Sequence, residues 1–346
     1  LTNEGKILIT SINPKWNIIL KFFEKIKLKK FSASRNYINP VKINNIAKSA
    51  GLELVLSNSR QIIPFKLLGI GNLINKFLEV ILSYFRFGIQ MYSMFRKVEI
   101  EKTSQKKSII IPAKNEEGNL EELIQRIPNS NFDEIEIILI CGPSEDNTLE
   151  KAYEIKKTSK DLEIYILEQK SNGKANAVFE GLQVCTGELI AILDSDLSVD
   201  PETLIDFFQI IEDGSADFVN GTRLIYGKEK GSMRFLNNLG NIIFQFLISL
   251  VIKQKLTDSL CGTKVFKRNY LEFLYRWRNS KTIKDPFGDF DFIFSAAYSG
   301  QKILEYPVHY RTRKYGKTQI SRFRDGWKLL SYFISSYIKF NSSNKV

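Results

Sequence analysis

The chain has 346 residues, 43% hydrophobic and 25% charged, enough for one large and one partial globular domain. A single histidine (His309) and three scattered cysteines (Cys141, Cys185, Cys261) argue against histidine-based zinc sites and Ser–His–Asp relays and suit a reducing compartment. The net charge of +12 divides into +13 over residues 1–107, −16 over 108–220 and +15 over 221–346.

Any catalysis must therefore rest on carboxylates, amides, lysine, arginine and a hard cation. An acidic segment between two basic ones suits a bound cation, with basic surfaces that meet phosphates or an anionic membrane. No nucleic-acid motif accompanies the charge, so nucleic acid is not an expected partner. The chain begins at Leu1, without the charged-then-apolar-then-small pattern of a signal peptide. A cytoplasmic protein in peripheral contact with the cytoplasmic face of the membrane is expected.

At the N-terminus, "GKILITSINPKWNIIL" (5–20) and "NPVKINNIAKSAGLELV" (39–55) resemble the last strands and helix of a class I S-adenosylmethionine-dependent methyltransferase. The resemblance implies a C-terminal remnant over 1–101 whose cofactor loop would lie upstream of Leu1. A basic, membrane-apposed extension is the alternative. "LGIGNL" (68–73) lacks the third glycine of a dinucleotide loop and follows no clear strand.

"KTSQKK" (102–107) is a polar break and the expected linker. A regular alternation follows it. "SIIIPA" (108–113) reads as a buried strand, 116–127 as a helix and "EIEIILICG" (134–142) as a strand. A helix over about 146–157, a strand over 162–168, a helix over 173–185, a strand over 188–194 and a helix over 201–213 complete the series. Short apolar strands between amphipathic helices predict a mostly parallel sheet covered on both faces. Ligands of such folds bind beyond the carboxyl ends of the strands, where Asp194 and Asp196 fall.

Asp200, followed by Pro201 and Glu202, reads as a helix cap. The apolar segment 241–252 is too short to span a bilayer and reads as a core or interfacial helix. The amphipathic, aromatic segment 327–340 carries the same two readings.

Three chemistries could use "DSDLSVD" (194–200). A calcium loop needs Gly at its sixth position and Glu at its twelfth; Val199 and Ile205 stand there, which excludes it. A haloacid-dehalogenase-like phosphatase would use Asp194 as nucleophile with Ser198 two places beyond Asp196, but that motif ends a first strand. In the third reading, Asp-x-Asp holds Mg²⁺ or Mn²⁺ against a nucleotide diphosphate, where the cation neutralises the departing group. A degenerate membrane-surface binding module is the non-enzymatic alternative.

The ordered series "IIIPAKNEEGNL" (109–120), "SEDNT" (144–148), "NGKANAV" (172–178), Asp194-Ser195-Asp196, "NGTRLIY" (220–226), "DSLCGTKVFKR" (258–268), "FGDFDFIF" (287–294) and "YRTRKYGKTQI" (310–320) resembles family 2 inverting glycosyltransferases. The later elements most resemble polyprenyl-phosphate sugar synthases of the dolichyl-phosphate mannose synthase kind. The resemblance implies an α/β GT-A nucleotide-sugar fold over 108–325, an amphipathic C-terminal helix over 326–346 and a UDP- or GDP-sugar donor. It implies Mg²⁺ or Mn²⁺ as cofactor and a polyprenyl phosphate or a saccharide as acceptor.

Carried over, Pro112, Ala113, Asn115, Glu116 and Ser144 would bind the nucleotide, and Lys174 would approach the diphosphate. Asp194 would face the ribose or metal, with Asp196 the direct metal ligand. Asp289 matches the base of saccharide-acceptor members, and Asp291 the acid of polyprenyl-phosphate members. Arg223, Arg313, Thr318 and Gln319 would surround phosphate groups. Two departures stand out. Cys141-Gly142-Pro143-Ser144 lacks the two acids usual before Gly-Ser, and Thr318-Gln319 replaces Ser-Lys.

Overall fold

A computed structural model of the chain describes residues 5–27, 38–63, 75, 78, 82, 85–98, 105–128, 131–225, 235–315 and 322–342. Two units emerge: Leu1–Glu99 with Ser249–Lys255, and Ile100–Ile248 with Leu256–Val346.

The first unit contains β1 (Lys6–Ile12), α1 (Asn17–Lys25), α2 (Pro40–Ser49), β2 (Leu52–Arg60) and β3 (Gln90–Lys97). Asn39 caps α2 by accepting from the Val41 amide at 2.9 Å, with Pro40 at the first helical position. β3 lies between β1 and β2 and is antiparallel to both. Phe95, Ile43 and Ala47 form its small core. The helix-then-strand order expected at 39–55 is present as α2 and β2. Residues 68–73 lie outside the described residues.

The second unit opens with β4 (Lys107–Ala113), α3 (Glu117–Arg126), β5 (Ile135–Cys141), α4 (Thr148–Thr158), β6 (Glu163–Glu168), α5 (Lys174–Val184) and β7 (Leu189–Ile192). A 3₁₀ turn (Pro201–Thr203), α6 (Leu204–Glu212), β8 (Phe218–Thr222), α7 (Phe235–Ile252), β9 (Lys264–Lys267) and α8 (Tyr270–Asn279) continue it. α9 (Asp289–Tyr298), β10 (Ile303–Pro307) and α10 (Arg322–Ser342) close it. Lys107 thus belongs to β4 rather than to the polar break, and the expected boundary at 325/326 falls inside α10.

The seven strands run in the order β10-β8-β9-β7-β4-β5-β6. All are parallel to one another except β9, which pairs antiparallel with both β7 and β8. Successive side chains of a strand point to opposite faces, so apolar runs such as Ile109–Ile111 feed two cores. Ile109 and Ile111 meet Leu120, Leu123 and Phe207 on one face. Ile110 meets Val178, Leu182, Leu274 and Phe292 on the other.

Segment 241–252 is the larger part of α7, and 327–340 lies within α10. No described helix is long and apolar enough to cross a membrane. Asp200 does precede the 3₁₀ turn, but its carboxylate caps no amide. It accepts from Arg126 at 2.7 Å and from Arg311 at 2.7 and 3.0 Å instead.

At the opposite end of the sheet from the predicted site, buried Glu136 ties β4 to the segment before β7. Its carboxylate accepts from Ser108 Oγ (2.5 Å), Thr186 Oγ1 (2.7 Å) and the amides of Thr186 and Gly187. Burial alone would raise its pKa; these donors outweigh it and hold the group below its ordinary 4.5. A depressed carboxylate contributes stability that is complete above its unfolded value and disappears as pH falls through its folded one. Glu136→Gln should therefore lose about 2 kcal/mol in urea unfolding at pH 7, and the gap from the parent should narrow at pH 3.

Candidate active site

The predicted acids gather where β4 and β7 end. β7 stops at Ile192, so Asp194-Ser195-Asp196 stands on a short loop rather than on the strand itself. Ser195 Oγ donates to the Pro112 carbonyl at 2.9 Å, anchoring that loop to β4. Asp196 turns one oxygen inward to accept from the Ser198 amide at 3.0 Å, an Asx turn that carries Leu197 at φ +54°.

Each of the two aspartates is met by a cation. Lys174, the first residue of α5, places Nζ 2.6 Å from Asp194 Oδ1. Arg313 places Nη2 2.6 Å from Asp196 Oδ2. Burial would raise the Asp194 pKa, but Lys174 first, then Lys264 and Arg313, pull it below the carboxylate range. Gly262 approaches so closely that a Cβ there would stand 2.1 Å from Asp194 Oδ2.

The loop after β4 forms the next wall. Asn115 adopts φ +56°, donates its amide to Ser144 Oγ (3.0 Å) and accepts from the Glu145 amide (2.7 Å). Glu116 is buried; its amide donates to Thr148 Oγ1 at 2.9 Å and its carboxylate accepts from Asn119 at 2.5 Å. Burial, with Asp196 and Asp194 nearby, raises its pKa to about 7 despite that bond.

Asp289 opens α9, and one of its oxygens lies 2.6 Å from Nζ of fully buried Lys264. The same ammonium donates to the Cys261 carbonyl. Asp291 faces elsewhere. It is fully buried, with one oxygen 2.5 Å from Arg278 Nη1 and the other accepting from Tyr332 O–H. Burial raises its pKa. Both oxygens of Asp291 are thus engaged within the protein, tying α9 to α8 and α10. Asp285 caps that helix, accepting from the Phe287, Phe290 and Asp291 amides at 2.7–3.2 Å, and burial beside Asp291 and Asp289 brings it to about 7.

Arg223 is not brought to the cluster. It forms a bidentate pair with Asp258 (2.7 and 2.9 Å), and burial is outweighed by this guanidinium to hold Asp258 at about 2. Thr318 and Gln319 lie outside the described residues. Sequence reasoning missed Lys264, Gly262 and Asp285. Their only signals were a lysine opening a short strand and the Cys-Gly-Thr and Asp-Pro-Phe-Gly turns.

The site's donor set fits a divalent cation. Two hard carboxylates, Asp196 and Asp194, stand together, and no group of three or more His, Cys, Asp or Glu positioned around a metal occurs among the described residues. Mg²⁺-type ions bind in this way, through one or two carboxylates with substrate phosphates and water completing the shell. For a phosphatase, Asp194 should end the first strand of its domain and remain a free nucleophile. Here it follows the fourth strand of its unit and is paired with Lys174.

Comparison with known proteins matches residues 108–274 to the family described as Glycosyl transferase family 2. The dolichol-phosphate mannosyltransferase of Pyrococcus furiosus is 29% identical over 202 residues, 53% of this chain and 56% of that protein. The chain thus spans little more than half the length of this curated relative. Glucosyl-3-phosphoglycerate synthase from Mycobacterium tuberculosis, solved with Mn²⁺, UDP and glucosyl-3-phosphoglycerate, superposes with a TM-score of 0.51 at 16% identity, covering 70% of this chain and 82% of that one. Its complex with phosphoglyceric acid gives 0.52 at 17% identity, covering 69% and 82%. These two likenesses show the shared nucleotide-sugar transferase fold.

Because Gly262 leaves no room for a Cβ, Gly262→Ala should drive Asp194 from Lys174. The expected cost is about 1–3 kcal/mol in urea unfolding, and a crystal structure of the variant should show the 2.6 Å ion pair broken. An intact pair at full stability would contradict this geometry.

Proposed function

Since residues 108–274 are a family 2 glycosyltransferase domain, we propose that the chain transfers a sugar, with inversion, from a nucleotide-diphosphate donor to a polyprenyl phosphate. The observation that carries the proposal is the convergence of Asp194–Lys174, Asp196–Arg313 and Asp289–Lys264 beyond the carboxyl ends of the parallel strands of one mixed sheet.

Asp196 and Asp194 would hold Mg²⁺ or Mn²⁺. When bound, the cation supplies Lewis-acid neutralisation of the charge that develops on the departing diphosphate. Lys174 and Arg313, already 2.6 Å from the two carboxylates, supply fixed positive charge at the same place. The chemistry is one in-line displacement. The bond from the anomeric carbon to the diphosphate breaks with its electron pair on the diphosphate, while an acceptor oxygen bonds from the opposite face.

A phosphate acceptor is an anion already and needs no base, so orientation dominates. The arrangement around Asp289 favours this acceptor, because one of its oxygens is committed to buried Lys264. The relative from P. furiosus, a dolichol-phosphate mannosyltransferase by name, supports the same acceptor class.

A lipid acceptor also calls for contact with a bilayer surface. Leu239, Ile242, Ile243 and Phe246 form an exposed apolar stripe on α7, and Trp327, Ile334 and Ile338 are exposed on α10 beside Lys328 and Arg324. Both helices pack on α9, through Phe244–Phe290 and Tyr332–Phe290. We assign these faces to peripheral contact with an anionic membrane. For the first unit, α2 leading into β2 and the insertion of β3 between β1 and β2 support the methyltransferase-like reading of residues 1–101.

Asp196→Ala should weaken Mn²⁺-dependent binding of nucleoside diphosphates by more than about a hundredfold in calorimetry while the melting temperature stays near that of the parent. Full activity in this variant would overturn the proposal. Asp289→Asn separates the acceptors. A small loss of turnover is expected for a lipid phosphate, whereas a loss of about a thousandfold would mark Asp289 as general base toward a saccharide hydroxyl.

A further inference from the structure

In the first unit, α1 is apolar on both of its sides. Its inner side buries Leu20, one turn beyond buried Trp16. Its outer side leaves Ile18, Phe22 and Ile26 exposed, at the four-residue spacing that lines one face of a helix. Ile18 is 81% exposed. Apolar side chains scattered singly over a surface need no explanation, but a continuous stripe of them marks an interaction site.

A second element stands beside the stripe. Phe85 and Phe87 are exposed on a turn whose middle residue, Arg86, is also exposed and adopts φ +50°. Asn13 Nδ2 donates to the Arg86 carbonyl at 3.0 Å and to the Gly88 carbonyl at 2.8 Å. Trp16 Nε1 donates to the Phe87 carbonyl at 2.6 Å, and the two rings lie 5.8 Å apart. Gly88 lets the turn close, because a Cβ there would stand 2.3 Å from the Arg60 carbonyl oxygen. Asn13 and Trp16 precede α1 directly, so residues about 70 positions apart are fixed together at the start of that helix.

Cations accompany the apolar side chains. Lys15, Lys21, Lys25 and Lys27 are exposed, and the sequence adds Lys29 and Lys30. Lys21 and Lys25 follow Ile18 and Phe22 by three residues each, so they run along one flank of the stripe. Glu24, the only acid in residues 5–27, comes two residues after Phe22 and so lies on the other side of the helix. The stripe is therefore bordered by positive charge alone.

Five apolar side chains are too few for a stable protein interface, which takes about 20–30 residues a side. They match an anionic bilayer instead. Isoleucine and phenylalanine side chains can enter the boundary of the acyl chains, while the aliphatic stems of the lysines carry their ammonium groups up to the lipid phosphates.

We propose that α1 and the 85–87 turn form a membrane-binding face of the first unit. α1 lies in the plane of an anionic bilayer, with Ile18, Phe22, Ile26, Phe85 and Phe87 at the acyl boundary and the basic side chains among the headgroups. None of these residues belongs to α7 or α10, and the inference does not depend on the reaction assigned to the second unit.

The test is sedimentation of the full chain with vesicles of phosphatidylcholine, alone or with about one-third phosphatidylglycerol. The anionic vesicles should bind at least about tenfold more tightly, and salt at about 0.5 M should remove most of that preference. Ile18→Gln with Phe22→Gln, both at exposed positions, should keep the parent melting temperature and weaken binding about tenfold or more. Lys21→Glu with Lys25→Glu should weaken binding to the anionic vesicles by a similar factor. Because Cys141, Cys185 and Cys261 are buried, Ile18→Cys places an accessible thiol on the stripe. An environment-sensitive dye on that thiol should shift to the blue on anionic vesicles and be quenched by nitroxide-labelled lipid. Binding unmoved in both double variants, or a dye that stays in water on bound protein, overturns the inference and leaves the contact to α7 and α10. Absence of binding to either vesicle overturns it too. A blue shift that grows with protein concentration without vesicles would make a second copy the occupant, which also overturns it.

Discussion

Charge compensation at the strand ends is the constraint on which this structure depends. Glu116, Asp196 and Asp289 are buried and Asp194 is half-buried, and an unpaired charge that is buried costs several kcal/mol. Three cations answer them. Lys174 comes from the first turn of α5, Lys264 from β9 and Arg313 from the segment after β10, each 2.6 Å from its own carboxylate. The fourth acid has no cation of its own and is displaced to about 7 instead. The site therefore needs elements distant in sequence to arrive at one point, and the sheet order delivers them.

β9 shows how. Among the described strands of the second unit's sheet it alone is antiparallel, placed between β7 and β8. This position sets Lys264 against the first turn of α9, and Gly262 against the side chain of Asp194. A glycine is needed because the chain must pass within van der Waals distance of the carboxylate, which no side chain permits. The Asp-Ser-Asp loop is fixed from the other side by Ser195 on the Pro112 carbonyl. Local rigidity here comes from short polar ties, with the apolar cores beneath supplying the platform.

Much of this was legible in the sequence. Parallel strands buried on both faces must be continuously apolar, so β4, β5 and β7 announced themselves, as did the helices between them. Asp194 and Asp196 were readable because carboxylates directly behind a buried strand have no structural excuse. Lys264 was not. A four-residue strand with lysine at each end reads as surface, and only its neighbours across the sheet make the first of them an interior cation. Arg223 misled for the opposite reason. Its partner Asp258 lies 35 residues away, and nothing local reveals that the guanidinium is already bound. Asp200 illustrates a third case. The Asp-Pro-Glu pattern located a helical turn correctly, but Arg126 and Arg311 claimed the carboxylate that a cap would have used.

The same logic separates the two acids of the Gly-Asp-Phe-Asp stretch, which look alike in sequence. Residues two apart on a helix point to different sides, so Asp289 and Asp291 cannot share a task. Asp289 faces Lys264 and the cluster. Asp291 joins three helices, through Arg278 of α8 and Tyr332 of α10, and Tyr332 in turn accepts from the Trp277 indole at 2.7 Å. α10, whose outer face exposes Trp327, Ile334 and Ile338, is thereby tied by one buried polar network to the first turn of the helix that presents Asp289. A displacement of α10 cannot leave that turn untouched, because Asp291 sits only two residues beyond Asp289 and has no second set of partners. The exposed apolar face of α10 and the carboxylate of Asp289 are thus positioned by the same few hydrogen bonds.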